Sequence, residues 1–154
     1  MEENRNDIFI QIKRVKQTSF FVNEIPPEQM EPQSTVKLDY KSAALIDKDL
    51  FEFCLKVTYI LPNSQINLMG NEVQNVFAIK DLKKYADEKG DIKLPSNALI
   101  IMLRLAIGHS RALLAASVGG TNYSETILPI FNTLTIAKQF WGDTIEITSH
   151  LSAS

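Results

Sequence analysis

The chain has one cysteine, Cys54, and two histidines, His109 and His150. A lone cysteine closes no internal disulfide, and its place in the apolar run FEFCLKV predicts a small buried hydrophobe in a reducing compartment. Neither histidine sits in a Cys- or His-containing ligand pattern, so no metal site is expected. An excess of one charge is also missing: 16 Lys plus Arg stand against 18 Asp plus Glu, for a net charge of -2. That balance gives no electrostatic footprint for nucleic acid, and the short basic groups Lys13, Arg14, Lys16 and Lys80, Lys83, Lys84 read as solvated faces.

Long apolar runs are scarce. The richest, Ala98 to Ile107, is broken by Arg104 and followed by His109 and Arg111, whereas a membrane span needs about 20 predominantly apolar residues. The opening MEENRNDIF carries acidic residues where a secretory signal carries basic ones. The expectation is a cytoplasmic protein that is neither exported nor inserted in a membrane.

Signs of chemistry are equally thin. Gly119 and Gly120 follow a helical stretch, whereas glycines that cradle phosphate precede one, so no nucleotide or other cofactor is expected. His109, Ser110 and Arg111 are consecutive on a helix and point in different directions, which builds no nucleophile and base pair. The sequence gives no reason to expect an enzyme.

What the chain does have is an apolar fraction of 45% with 22% charged residues over 154 positions, enough for one domain with a sizeable core. The domain is expected to span 1–154, with ends at about 1–7 and 149–154 that fray. Ile8, Ile10 and Ile12 alternate with polar residues and run on through Val15 to Val22, predicting a long first strand with a bend or bulge near Lys16 to Ser19. Pro26, Pro27 and Pro32 mark the following loop. Val36, Leu38 and Tyr40 alternate in a second strand, and Phe51, Phe53, Leu55, Val57 and Tyr59 form the clearest third. A turn at Pro62 to Ser64 leads into a fourth, over Gln65 to Ile79. Asp81 to Lys89 reads as a connector.

The pattern then changes period. Pro95 opens and Gly119 closes a helix over Pro95 to Val118, followed by an extended Thr121 to Asn132, a second helix over about Thr133 to Phe140, and a strand-like TIEITS. The fold class is therefore α+β, a four-stranded antiparallel sheet followed by a long helix and a short C-terminal one. Leu99, Ile100, Ile101, Met102, Leu103, Leu105 and Ile107 spread around the whole long helix, and one sheet covers one face. Burying a Leu or Ile is worth roughly 1.5 to 3 kcal/mol, so a second apolar stripe predicts a covering copy of the same helix. Leu99, Met102, Leu103 and Ile107 are the expected oligomer interface.

The order of these elements, together with FIQIKRV at Phe9 to Val15, VKLD at Val36 to Asp39, FEFCLKVT at Phe51 to Thr58 and NEVQNVFAI at Asn71 to Ile79, resembles the SecB protein-export chaperones. LPSNALI at Leu94 to Ile100, GGT at Gly119 to Thr121 and ILPIFN at Ile127 to Asn132 extend the likeness over about residues 8–132. The resemblance implies a homotetramer built as a dimer of dimers, with sheets outside and long helices between, binding unfolded polypeptide clients in apolar grooves without ATP. Phe21, Met69, Phe77, Ile127, Leu128, Ile130 and Phe131 are the client-binding residues it leads us to expect, with ordinary core packing as the competing reading for each.

Two departures bear on partners. Ser19 and Asn23 stand where exporting members carry acidic residues for the SecA motor, and the tail ITSHLSAS is not acidic. Docking to SecA loses its usual basis, which leaves export, a solitary chaperone and a toxin-antitoxin role all open. Two other classes compete: a hotdog-type acyl-thioester enzyme, whose helix usually comes earlier than it does here, and an adaptor with a single fixed partner.

Overall fold

A computed structural model of the chain describes residues 8–25, 35–61, 66–121, 132–142 and the backbone of 148–149. Four strands, β1 (Ile10–Val22), β2 (Thr35–Leu45), β3 (Leu50–Ile60) and β4 (Asn67–Ile79), form one antiparallel sheet in the order β1-β4-β3-β2. A two-residue β5 (Ile92–Lys93) precedes the long helix α1 (Ser96–Ser117), then come α2 (Thr133–Trp141) and a two-residue β6 (Thr148–Ser149) that pairs with β5.

Period-two patterning explains the sheet's two faces. On β3, Phe51, Phe53, Leu55, Val57 and Tyr59 share one face and are buried. Their partners on β4 are Phe77, Asn75, Val73, Asn71 and Met69, and the partners on β2 are Ala44, Ser42, Tyr40, Leu38 and Val36. This inner face packs under the helices. The outer face carries Lys56 opposite Asp39 and Glu72, and Lys41 reaches across β3 to Glu72 at 3.3 Å.

Cys54 is buried, but it sits on that outer face and outside the main apolar cluster. Its thiol lies 3.4 Å from Glu52 Oε1, and desolvation followed by Glu52 pushes its pKa up to about 12. It is buried as expected, but in a polar setting and not as part of the apolar core, and its raised pKa keeps the thiol protonated.

β1 is irregular, with register shifts between Ile12 and Arg14 and between Gln17 and Ser19. The second falls where the sequence predicts a bulge, and such bulges twist a long edge strand out of reach of unwanted pairing. Beyond it the chain returns to regular pairing, and Phe21 lies opposite Gly70. A Cβ at Gly70 would meet the Val57 carbonyl oxygen at 2.5 Å and the Phe21 ring at 2.7 Å, so the ring covers a position where only glycine fits.

α1 crosses β4 at Val73. The neighbours His109 and Ser110 reach Asn75 and Asn71, two residues to either side of that valine on the same face. Asn75 Nδ2 donates to the Phe53 and Val73 carbonyls at 3.1 and 3.3 Å. Its Oδ1 is thus the acceptor facing His109 Nδ1 at 2.6 Å, which makes the neutral ring the Nδ1–H tautomer.

Burial lowers the His109 pKa below its ordinary 6.5. The folded protein therefore binds this proton less readily than the unfolded chain, so His109 takes nothing from stability above pH 6.5 and withdraws some as pH falls through 6.5 toward the folded pKa. Thermal unfolding followed from pH 7 to pH 5, above the carboxylate range, should show a midpoint that falls more steeply in the native chain than in His109→Gln. Parallel slopes would contradict this.

Candidate functional site

By length and composition α1 could be taken for a membrane span. Its inward face is instead core: Ala98, Leu99, Met102, Leu103, Ala106, Ile107, Ser110 and Leu114 are all buried. The four residues expected to meet another subunit, Leu99, Met102, Leu103 and Ile107, thus pack within their own chain, at 0, 1, 0 and 7% exposure. What faces outward is a different stripe. Ile101 is 42% exposed, Leu105 is half-buried, and Gly108, Ala112 and Ala115 continue it toward the helix end.

The expected client-binding residues separate in the same way. Met69 and Phe77 lie on the inner face of β4 and are closed off by the chain itself. Phe21 is half-buried on the opposite face of the sheet, over Gly70. Ile127, Leu128, Ile130 and Phe131 fall outside the described residues. Of the three described residues only Phe21 therefore keeps appreciable exposure, on the face away from the other two.

The structure assembles another group. Asn132 caps α2, its Oδ1 accepting from Thr135 N at 3.1 Å, and Gly142 ends the helix with φ 80°. Between these stops Ile136, Ala137 and Trp141 turn inward, while Leu134 stays 47% exposed. The last turn then meets the inner face of β2 and β3. The Tyr40 ring stacks on Phe53 at 5.6 Å and 14°, lies 4.7 Å from Phe140, and takes the edge of Trp141 at 5.5 Å and 71°. Trp141 also contacts Phe53 at 6.1 Å and Phe140 at 5.7 Å.

Phe53 and Trp141 are buried foundations, and Tyr40 and Phe140 are half-buried at the rim. The buried indole N–H of Trp141 has no acceptor among the described residues, which is uncommon for a buried donor. Tyr40 sits on the edge strand, whose eleven pairs with β3 run without a register shift. The group presents aromatic surface and no titratable carboxylate, imidazole or thiol. Among the described residues no cluster of His, Cys, Asp or Glu could hold a metal ion. Such a surface is suited to apolar side chains, through burial and stacking.

Tyr40 and Phe53 read from the sequence as strand residues only, and Phe140 as a helix end. The available signal was the chain's single tryptophan, next to a phenylalanine and followed by glycine at the close of an amphipathic stretch.

No protein-family model and no curated protein matches this chain. Among solved structures it is similar to the SecB-like chaperone Rv1957 of Mycobacterium tuberculosis, determined in complex with a ChAD peptide from the Rv1956 HigA1 antitoxin. The two share 15% identity and superpose with a TM-score of 0.52 over 80% of this chain and 90% of that one. With its four-stranded antiparallel sheet, long α1 and short α2 in that order, the chain has the SecB-like fold.

Proposed function

We propose that this protein is a chaperone or adaptor that holds an extended apolar stretch of another polypeptide against the aromatic rim of Tyr40 and Phe140. The observation that carries this is the ring cluster closed by α2, half-open at its rim, on a fold shared with a chaperone that binds an antitoxin peptide. The rim supplies apolar contact without directional demands, so selectivity among clients is loose. The cluster carries two polar handles, the hydroxyl of half-buried Tyr40 and the indole N–H of Trp141, which is buried and has no acceptor among the described residues. Ile127, Leu128, Ile130 and Phe131, just ahead of the Asn132 cap, are proposed as further contacts on the strength of their apolar character and position in the chain.

Binding by burial needs no nucleotide, and the protein is proposed to act in the cytoplasm without ATP. Its working form is proposed to be an assembly of copies joined through the outward stripe of α1. Trp141 is the only tryptophan, so its emission reports on the site directly. Titrating an extended peptide rich in aromatic and aliphatic residues, without nucleotide, should shift that emission with saturation, and the protein should suppress aggregation of an unrelated unfolded protein. Saturable binding of one partner alone, with no suppression, would mark a dedicated adaptor. Neither response would end the reading.

A further inference from the structure

Beneath α1 the core is not wholly apolar. Asn71 is 2% exposed and donates through Nδ2 to Gln17 Oε1 and to the Ser110 carbonyl, both at 3.0 Å, while its Oδ1 accepts from Ser110 Oγ at 2.7 Å. Gln17 Nε2 in turn donates to Ser117 Oγ at 3.1 Å, near the helix end. On the other side of Val73, Asn75 at 0% exposure completes the line with His109. Polar side chains from β1 and β4 thus meet a polar line on α1 across the middle of the core.

We infer that this seam locks the seating of α1 on the sheet to a single register. The apolar part of the contact sets register only in part. Sliding the helix by four residues would put Leu103 where Leu99 sits and Ile107 where Leu103 sits, tolerable exchanges of one apolar side chain for another, but it would also put Ala106 in place of the larger Met102 and Arg111 at the buried site of Ile107. The same slide would bring Leu114 to Asn71 and Leu113 to Asn75, and the opposite slide Ala106 and Leu105. The Oδ1 of each enclosed amide would then lose its partner, a penalty that adds to those of the apolar face. The seam therefore penalises the alternatives and adds little to the seated state itself, as buried polar groups do when they specify register.

The consequence for function rests on the assembly proposed above. A four-residue slide would keep Ile101, Leu105 and Gly108 outward but move them by about 6 Å along the sheet, so the lock also fixes the height at which that face meets a second copy.

The test uses the full chain. In Asn71→Leu the Ser110 hydroxyl and the Gln17 Oε1 lose their partner, and the thermal midpoint should fall by about 2 to 12 °C. In the double variant Asn71→Leu/Ser110→Ala both sides become apolar. The midpoint should recover to near the native value while α1 amides show more than one set of resonances and exchange with solvent at least about tenfold faster. A double variant with one set of resonances and native protection along α1 would overturn the lock, whatever its midpoint. If the double variant does not fold, Gln17→Ala, at the more exposed end of the seam, replaces it. Faster exchange confined to the last turns of α1 supports the lock, and native exchange there refutes it. These readouts are made on the helix itself, so they decide the lock even if the native protein proves monomeric and the assembly reading fails.

Discussion

Phe140→Asp should weaken capture of an extended apolar peptide by at least about tenfold while leaving the fold in place. Phe140 is half-buried at the rim, its ring 4.7 Å from Tyr40 and 5.7 Å from Trp141. A carboxylate there removes aromatic surface that a client would cover, and a client side chain laid beside it would strip water from an unpaired charge. Covering that ring is worth on the order of 1.5 kcal/mol or more, which is tenfold in affinity.

Folding should suffer less, because Ile136, Ala137 and Trp141 carry the buried side of α2. Phe140→Leu should restore most of the affinity, since it returns an apolar side chain without the ring. Binding is read by titrating peptide against Trp141 emission or by calorimetry, and folding by circular dichroism. Native affinity in a folded Phe140→Asp would remove the rim from the site.

Trp141→Ala would be a poor substitute for that experiment. Trp141 is 8% exposed and underlies Tyr40, Phe53 and Phe140 together. Removing a buried aromatic costs about 3 to 5 kcal/mol, so weaker capture would be confounded with a damaged fold. Half-exposure makes Phe140 informative, and that property belongs to the folded chain.

The same distinction explains what the sequence disclosed. Alternation of large apolar and polar residues made β3 readable residue by residue, because one sheet face is core and the other wet. The long helix was readable from its length and its stops, and the second bulge of β1 from the interruption near Lys16 to Ser19. Which side of α1 would face the sheet was not readable, because Leu99, Ile100, Ile101, Met102 and Leu103 are chemically equivalent along the run. The buried amides settle that choice: Asn71 and Asn75 need Ser110 and His109, and satisfying them turns Leu99, Met102, Leu103 and Ile107 inward.

The aromatic cluster was hidden for a related reason. Tyr40 and Trp141 are a hundred residues apart, and only the packing of α2 against the edge of the sheet brings them within 5.5 Å. Single-residue character could not separate Phe77, sealed at 0% exposure, from Phe140 at the rim. Both are phenylalanines in apolar surroundings.

That inward turn yields the sharpest contrast for the assembly, between an isoleucine and a leucine only two residues apart. Ile101→Asp places a charge on the largest exposed apolar side chain of the outward stripe, at its N-terminal end, where the side chain is 42% exposed. It should give a folded protein whose association is weakened at least about a hundredfold, because a charge buried unpaired in an apolar contact costs several kcal/mol. Leu103→Asp places the same charge at a position with 0% exposure between helix and sheet, and should abolish folding, because none of the described residues buried in that part of the core is a cation that could pair with a carboxylate. Light scattering on the eluting protein separates the outcomes: Ile101→Asp should appear at the 17.4 kDa of one chain with native circular dichroism, and Leu103→Asp should be recovered unfolded or aggregated. An Ile101→Asp protein that keeps the native assembly would move the subunit contact away from α1. A native protein that already runs as a single chain would leave the outward stripe, with its run of Gly108, Ala112 and Ala115, without an occupant of its own kind.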